Sequence, residues 1–193
     1  MPRTKEFEPE AAVQRAMELF WQQGYEATSM SDLLGGMGIG RGSFYGTFGD
    51  KRSLFLAALD RFERTRTAWI PQVLEEGESP LKAIRYVFER TVDSLVGFEP
   101  RRGCLLANTA VELAPHDPEV AERIRSHVRR TEDAFERALE RARATGDLPE
   151  HKDPRVLSRF LVNNLHGLRV MARAGAGRET LEDVVAVVLE ALG

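Results

Sequence analysis

Apolar residues recur along this chain at spacings of three and four, and no stretch alternates apolar with polar long enough to suggest a strand. The pattern predicts an all-α protein of about nine helices, at 9–23, 30–36, 41–47, 51–73, 80–96, 103–113, 118–144, 154–174 and 178–192. Pro9, Pro80, Pro118 and Pro154 each open one of them, because proline's missing N–H costs nothing in a first helical turn. Ser79, Asp117 and Asp153 stand before three of these prolines and Asp50 stands before Lys51, where a side-chain oxygen can accept the free amide hydrogens of the turn. Gly77, the stretch 97–100, Pro115, the stretch 146–149 and the stretch 175–177 separate the helices.

Residues 25–51 read as two very short helices joined by a glycine-bearing turn and followed by a capped longer helix. Leu33, Leu34, Met37 and Ile39 form the apolar side, and Phe44 and Phe48 sit four apart on the second short helix. Helices this short are marginal alone and need a third to pack on. Helix 9–23 supplies it with Val13, Ala16, Met17 and Phe20 on one face. Three helices with a tight turn between the last two form the geometry that seats a recognition helix in the DNA major groove.

The run Phe20, Gly24-Tyr25, Thr28-Ser29-Met30, Leu33, Gly38-Ile39, Gly42-Ser43-Phe44-Tyr45, Phe48, Lys51 and Leu54 resembles, without gaps, the DNA-binding signature of the tetracycline-repressor (TetR) family. The resemblance implies a helix-turn-helix domain at 1–50 and a ligand-binding and dimerisation domain at 51–193, with helix 51–73 as connector. It also implies roles for single residues. Thr28 and Ser29 would cap the second helix and meet phosphate, and Met30 would face the groove. Arg41 and Ser43 would read bases, Tyr45 and Thr47 would touch phosphate or base edges, and Lys51 would hold a backbone phosphate. The chemistry fits, since arginine reads guanine bidentately, hydroxyls serve either role and lysine neutralises phosphate. Gly40 and Gly46 stand where many relatives carry larger side chains, which leaves base reading to Arg41, Ser43 and Thr47.

Composition changes the picture little. Hydrophobic residues make up 42% and charged residues 30%, as in an ordinary folded soluble protein. No apolar run approaches the ~20 residues of a membrane helix, and the basic N-terminal residues have no apolar stretch behind them as a signal peptide would. A single cysteine, Cys104, excludes an internal disulfide and fits a cytoplasmic location. The net charge is -3, and residues 1–66 hold nine basic side chains against nine acidic ones, so bulk charge lends DNA binding no support.

The last two helices are the most apolar. A helix apolar on more than one side must bury more than one side. Subunit contact answers this economically, through Leu161, Leu165, Leu168, Val184 and Val188, and the resemblance implies the same four-helix seam across a two-fold axis. The alternative is burial inside the chain's own domain. A ligand pocket is less legible: Asn108, Glu112, Asn164 and His166 are polar positions in apolar stretches, and Trp69, Phe88, Phe98 and Phe135 could form its wall. Hydrogen bonding between helices would explain the polar residues equally well. Cys104 follows Arg101-Arg102-Gly103 at an expected helix start, so it reads either as a reactive thiol on the pocket or as a small buried hydrophobe.

The expectation is a dimeric repressor that binds a palindromic double-stranded operator and is released by a small-molecule effector, with no cofactor, no metal and no membrane partner. An enzyme is the rival class, yet the four histidines lack metal-ligand spacing and no phosphate-cradling glycine loop is present. A family member that binds a small molecule or protein without DNA is the other alternative.

Overall fold

A computed structural model describes residues 7–97 and 102–193. The described residues are helical with no strand: α1 (Pro9–Gln23), α2 (Met30–Met37), α3 (Arg41–Phe48), α4 (Lys51–Phe62), a π-helical turn (Glu63–Thr67), α5 (Trp69–Glu76), α6 (Pro80–Val96), α7 (Leu105–Glu112), α8 (Pro118–Ala144), α9 (Pro154–Arg173) and α10 (Arg178–Glu190). Local chemistry explains most of the starts. Asp50 accepts the Ser53 amide at 2.7 Å. Asp117 accepts those of Glu119 and Val120, and Asp153 those of Arg155 and Val156. Ser79 makes no such bond, so α6 begins on Pro80 alone. Ser29 and Asp32 form a reciprocal capping box at α2, and Gly38 ends that helix at φ 68°, a left-handed conformation that glycine adopts without strain.

The expected continuous helix 51–73 is broken. The amide of Ala68 donates to the carbonyl of Glu63, five residues back, while the Thr65 and Thr67 hydroxyls donate to the carbonyls of Arg61 and Glu63. Pro71 explains the restart. It lacks the N–H that a continuous helix would need there, but it is harmless in the first turn of α5. The extra residue of the π turn rotates Trp69 and its neighbours relative to α4.

Two buried apolar clusters hold the chain together, and they do not divide at residue 50. One joins Met17, Phe20, Leu33, Phe44, Leu54 and Phe55 to Cys104, Leu105, Leu106, Val120 and Ile124, so the helix-turn-helix shares its core with α4, α7 and the start of α8. The other gathers Ile70 and Leu74, the inner faces of α6 and α8, and the inner faces of α9 and α10.

Candidate nucleic-acid interface and effector cavity

The outer side of the helix-turn-helix is built from short capped segments. Arg41 and Ser43, in the first turn of α3, are exposed, and Tyr45 one turn on is 49% exposed with its ring edge-on to buried Phe44. Thr47 is half-buried, as is Met30, which packs on the domain core. Ser29 is exposed as the α2 cap. Lys51 places its Nζ 4.3 Å from the centre of the Tyr25 ring, a contact that holds the ammonium at the start of α4. Thr28 corrects the expectation for it. It has no exposed surface, and its hydroxyl donates to the Gly24 carbonyl at 2.6 Å, so it fixes the α1–α2 loop and cannot meet phosphate.

Several cations of this region are committed inside the protein. Arg15 donates to the Met37 carbonyl at the end of α2, and Arg61 pairs with Glu10 and Gln14. Arg52 grips Asp117 through two hydrogen bonds and reaches Glu119 at 2.7 Å. Arg41 and Lys51 form no ion pair among the described residues, which explains how a stretch of neutral bulk charge presents a locally positive edge.

The helix-turn-helix is tied to the rest of the chain at its α1–α2 loop. The Glu112 carboxylate, at the end of α7, accepts the backbone N–H of Tyr25 at 3.0 Å and of Glu26 at 2.9 Å. Gly24 permits this approach: its φ is 89°, and a Cβ there would stand 3.0 Å from both carboxylate oxygens. Glu112, expected as a pocket residue, is thus a latch between the two parts of the chain. At the other end of α7, the Trp21 indole donates to the Gly103 carbonyl at 3.2 Å.

A cavity of about 550 Å³ lies where α1, the π turn, α5, α6 and α9 converge on the segment that leads into α7. Trp69 and Cys104 line it, together with Trp21, Arg66, Arg90 and Arg169, which the sequence pattern does not single out. Cys104 stands just before α7 without a side-chain capping bond and is 3% exposed, packed among apolar side chains of the helix-turn-helix core. Phe88 and Phe135 are not in the wall: both are fully buried in the C-terminal core, their ring centres 6.4 Å apart. Asn108 donates to the Arg102 carbonyl and Asn164 to the Phe160 carbonyl, one turn back on its own helix. Phe98 lies outside the described residues. Among the described residues no buried side-chain polar atom lacks a partner, so these amides are explained by hydrogen bonding within the fold.

His166 is pushed down to about 4, first by burial and then by the Arg169 charge, and it does not line the cavity. Burial, followed by Arg169, His166 and Arg130, lowers His127 to about 3. The 3.9 Å approach of His127 to Glu63 therefore joins a neutral ring to a carboxylate and is no ion pair; Glu63 pairs instead with Arg130.

The seam residues also need correction. Leu161, Leu165, Leu168 and Val188 are at most 2% exposed within a single chain, so they serve its own core. Of the expected set only Val184 faces outward, at 39% exposure. The apolar residues left open on α9 and α10 are Val156, Phe160, Val170, Met171, Val184 and Val187. They differ from the expected set by helical register: both faces of these helices are apolar, and the leucines occupy the inner one.

Comparison with known proteins agrees with this architecture. Residues 12–58 match the family model described as bacterial regulatory proteins, tetR family, and residues 80–188 match that of the tetracyclin repressor-like C-terminal domain. An uncharacterized HTH-type transcriptional regulator of Bacillus subtilis, YezE, is 38% identical over the full length of both chains. The HTH-type transcriptional repressor ComR of Escherichia coli is 32% identical over 97% of this chain and 90% of that protein. Among solved structures, a cysteine mutant of the TetR family regulator CifR, complexed with 26-base-pair double-strand operator DNA, superposes with a TM-score of 0.88 at 30% identity over all of both chains. The chain belongs to the tetR family of bacterial regulatory proteins and is a DNA-binding transcriptional regulator.

Proposed function

We propose that the protein is a cytoplasmic repressor that binds a palindromic operator as a homodimer and lets go when a small molecule enters the cavity, with no catalytic step. The observation that carries this reading is the exposed edge of Arg41, Ser43 and Tyr45, flanked by Ser29 and Lys51, on a helix-turn-helix latched by Glu112 to the helix that leaves the cavity wall. Arg41 and Ser43 read bases, while Ser29, Tyr45 and Lys51 hold phosphates. Gly40 and Gly46 leave the readout narrow. The operator-bound relative and the repressor relative support the DNA half of the reading. The outward apolar strip on α9 and α10 supports a two-fold contact that sets two recognition helices about 34 Å apart, one turn of DNA.

Release follows from two segments that touch both the cavity and the helix-turn-helix. Thr65, Arg66 and Thr67 of the π turn line the cavity, and α4, which runs into that turn, starts at Lys51. Gly103 and Cys104 line it too, and α7, which they open, ends at Glu112. A ligand that prefers another setting of these segments shifts the equilibrium away from the operator-bound spacing. It does so only by its differential affinity for the two states, about tenfold in operator affinity per ~1.4 kcal/mol.

Gel-shift against the DNA upstream of the protein's own gene tests the reading. Saturable binding that weakens steeply with salt is expected. Arg41→Ala should flatten preference among operator variants, whereas Lys51→Ala should weaken all DNA alike and lower the salt slope by about 0.9 per subunit. Parent-like binding by both variants would sink the site assignment.

A further inference from the structure

We infer that the cavity selects a small organic anion, a ligand with a carboxylate or phosphate head; this rests on the reading of the cavity as the effector site. Its volume of about 550 Å³ is of the size that holds a drug-like molecule, ~300–1,000 Å³. Among the described residues four guanidinium groups line it, those of Arg66, Arg90, Arg102 and Arg169, against the one carboxylate of Glu18. Arg66, Arg90 and Arg169 form no ion pair among the described residues. Elsewhere Arg52, Arg61, Arg123, Arg130, Arg137 and Arg178 pair with acids, while Arg41, Arg143, Arg155 and Arg159, at exposed positions, form no ion pair among the described residues. Like charges gathered around a partly enclosed space repel one another and attract an anion.

The other polar groups of the wall point the same way, because their hydrogens are already given. The Trp69 indole donates to the Arg66 carbonyl at 3.0 Å and the Trp21 indole to the Gly103 carbonyl. The hydroxyls of Thr65, Thr67, Thr91 and Ser94 donate to the carbonyls of Arg61, Glu63, Val87 and Thr91. The strong donors left for a ligand are the guanidinium N–H groups of Arg66, Arg90 and Arg169. Two of these three are held against indole faces: Arg90 lies 4.2 Å from the Trp69 ring centre and Arg66 5.5 Å from that of Trp21. Stacking engages the guanidinium plane and leaves its N–H edge free to fork onto a carboxylate or phosphate. Phe62 and Leu95 offer an apolar surface for the rest of the ligand.

Trp21 and Trp69 are the two tryptophans of the chain and both line the cavity, so intrinsic fluorescence reports occupancy directly. The full-length protein is titrated with benzoate, phenyl phosphate and inorganic phosphate, and with benzamide as the neutral match to benzoate. A saturable change with benzoate or phenyl phosphate is expected, at least about tenfold tighter than with benzamide and weakened by salt. The stronger of the two organic probes identifies the head group. Arg90→Gln and Arg169→Gln should each lower anion affinity about tenfold or more while keeping the parent's circular dichroism and melting; Arg169 stacks on neither indole, so its variant is free of direct fluorescence artefacts. Arg66→Gln stands in if either variant fails to fold. Equal binding of benzamide and benzoate would overturn charge selection while leaving the cavity a ligand site. No saturable response to any probe, neutral or charged, would overturn the effector site as well. Anion binding unchanged in the folded arginine variants would put the anion elsewhere and overturn the inference.

Discussion

Replacing Glu112 by alanine removes the acceptor that Tyr25 and Glu26 share at the α1–α2 loop. Hydrogen bonds to a charged group contribute about 1.5–3 kcal/mol each when a buried donor is left unmet. Here the Tyr25 amide is half-buried and that of Glu26 is exposed and can turn to water, so the pair together is worth about 2 kcal/mol. For a chain of this length that corresponds to a fall in Tm of about 4–8 °C. Glu112→Gln keeps one acceptor oxygen and should lose about half as much. Thermal melting by circular dichroism measures the loss, and amide hydrogen exchange localises it, since the Tyr25 and Glu26 N–H groups should exchange faster while the middle of α8 does not. The same variant should respond less in operator affinity to a cavity ligand, because α7 no longer grips the loop. A Tm within about 1 °C of the parent, well below the expected shift, together with unchanged exchange at both amides, would refute the latch.

Three further outcomes are expected. His127 and His166 are neutral in the fold, held at about 3 and about 4, so an unfolded chain binds more protons than the folded one below pH 6.5. Their contribution is complete above that pH and falls away as pH drops, by up to ~1.4 kcal/mol per pH unit for each ring. Urea unfolding at pH 7 and pH 5 reads this, and His127→Gln should flatten the slope; an unflattened slope would contradict the assignment. Gly46→Ala places a methyl group in open space within α3 and should stabilise by about 0.5–1 kcal/mol, seen as a higher unfolding midpoint. Val187→Glu puts a charge on the outward strip at a residue 64% exposed in the single chain, and should convert a dimer to monomer in sedimentation without lowering helicity. A dimer that survives it would move the interface to another face.

The recognition segment was legible because its determinants are local. The capping box of Ser29 and Asp32, the left-handed Gly38 and the Asp50 cap are decided within four residues of chain, and so are the starts of α8 and α9. The break in helix 51–73 was missed, although the chain carries a mark of it. Pro71 is its signal, outweighed in the pattern by continuous apolar spacing on either side. Glu112 had only an indirect mark, the glycine at position 24, since its partners lie 86 and 87 residues away.

The sequence alone thus determined the helices other than the broken 51–73, the order of the helix-turn-helix and the residues that its recognition helix carries, because each follows from propensity, capping and a period of 3.6. Tertiary structure decided what helix pairing decides. It chose which apolar face of α9 and α10 turns inward, sending Leu161, Leu165, Leu168 and Val188 to the protomer's own core and Val184 and Val187 outward. It buried Thr28, Phe88 and Phe135, which composition alone left available. It also brought Arg66, Arg90 and Arg169 from three separate segments to one cavity. A face apolar all round carries no record of its partner, and charges scattered over a hundred residues show no cluster until packing brings them together.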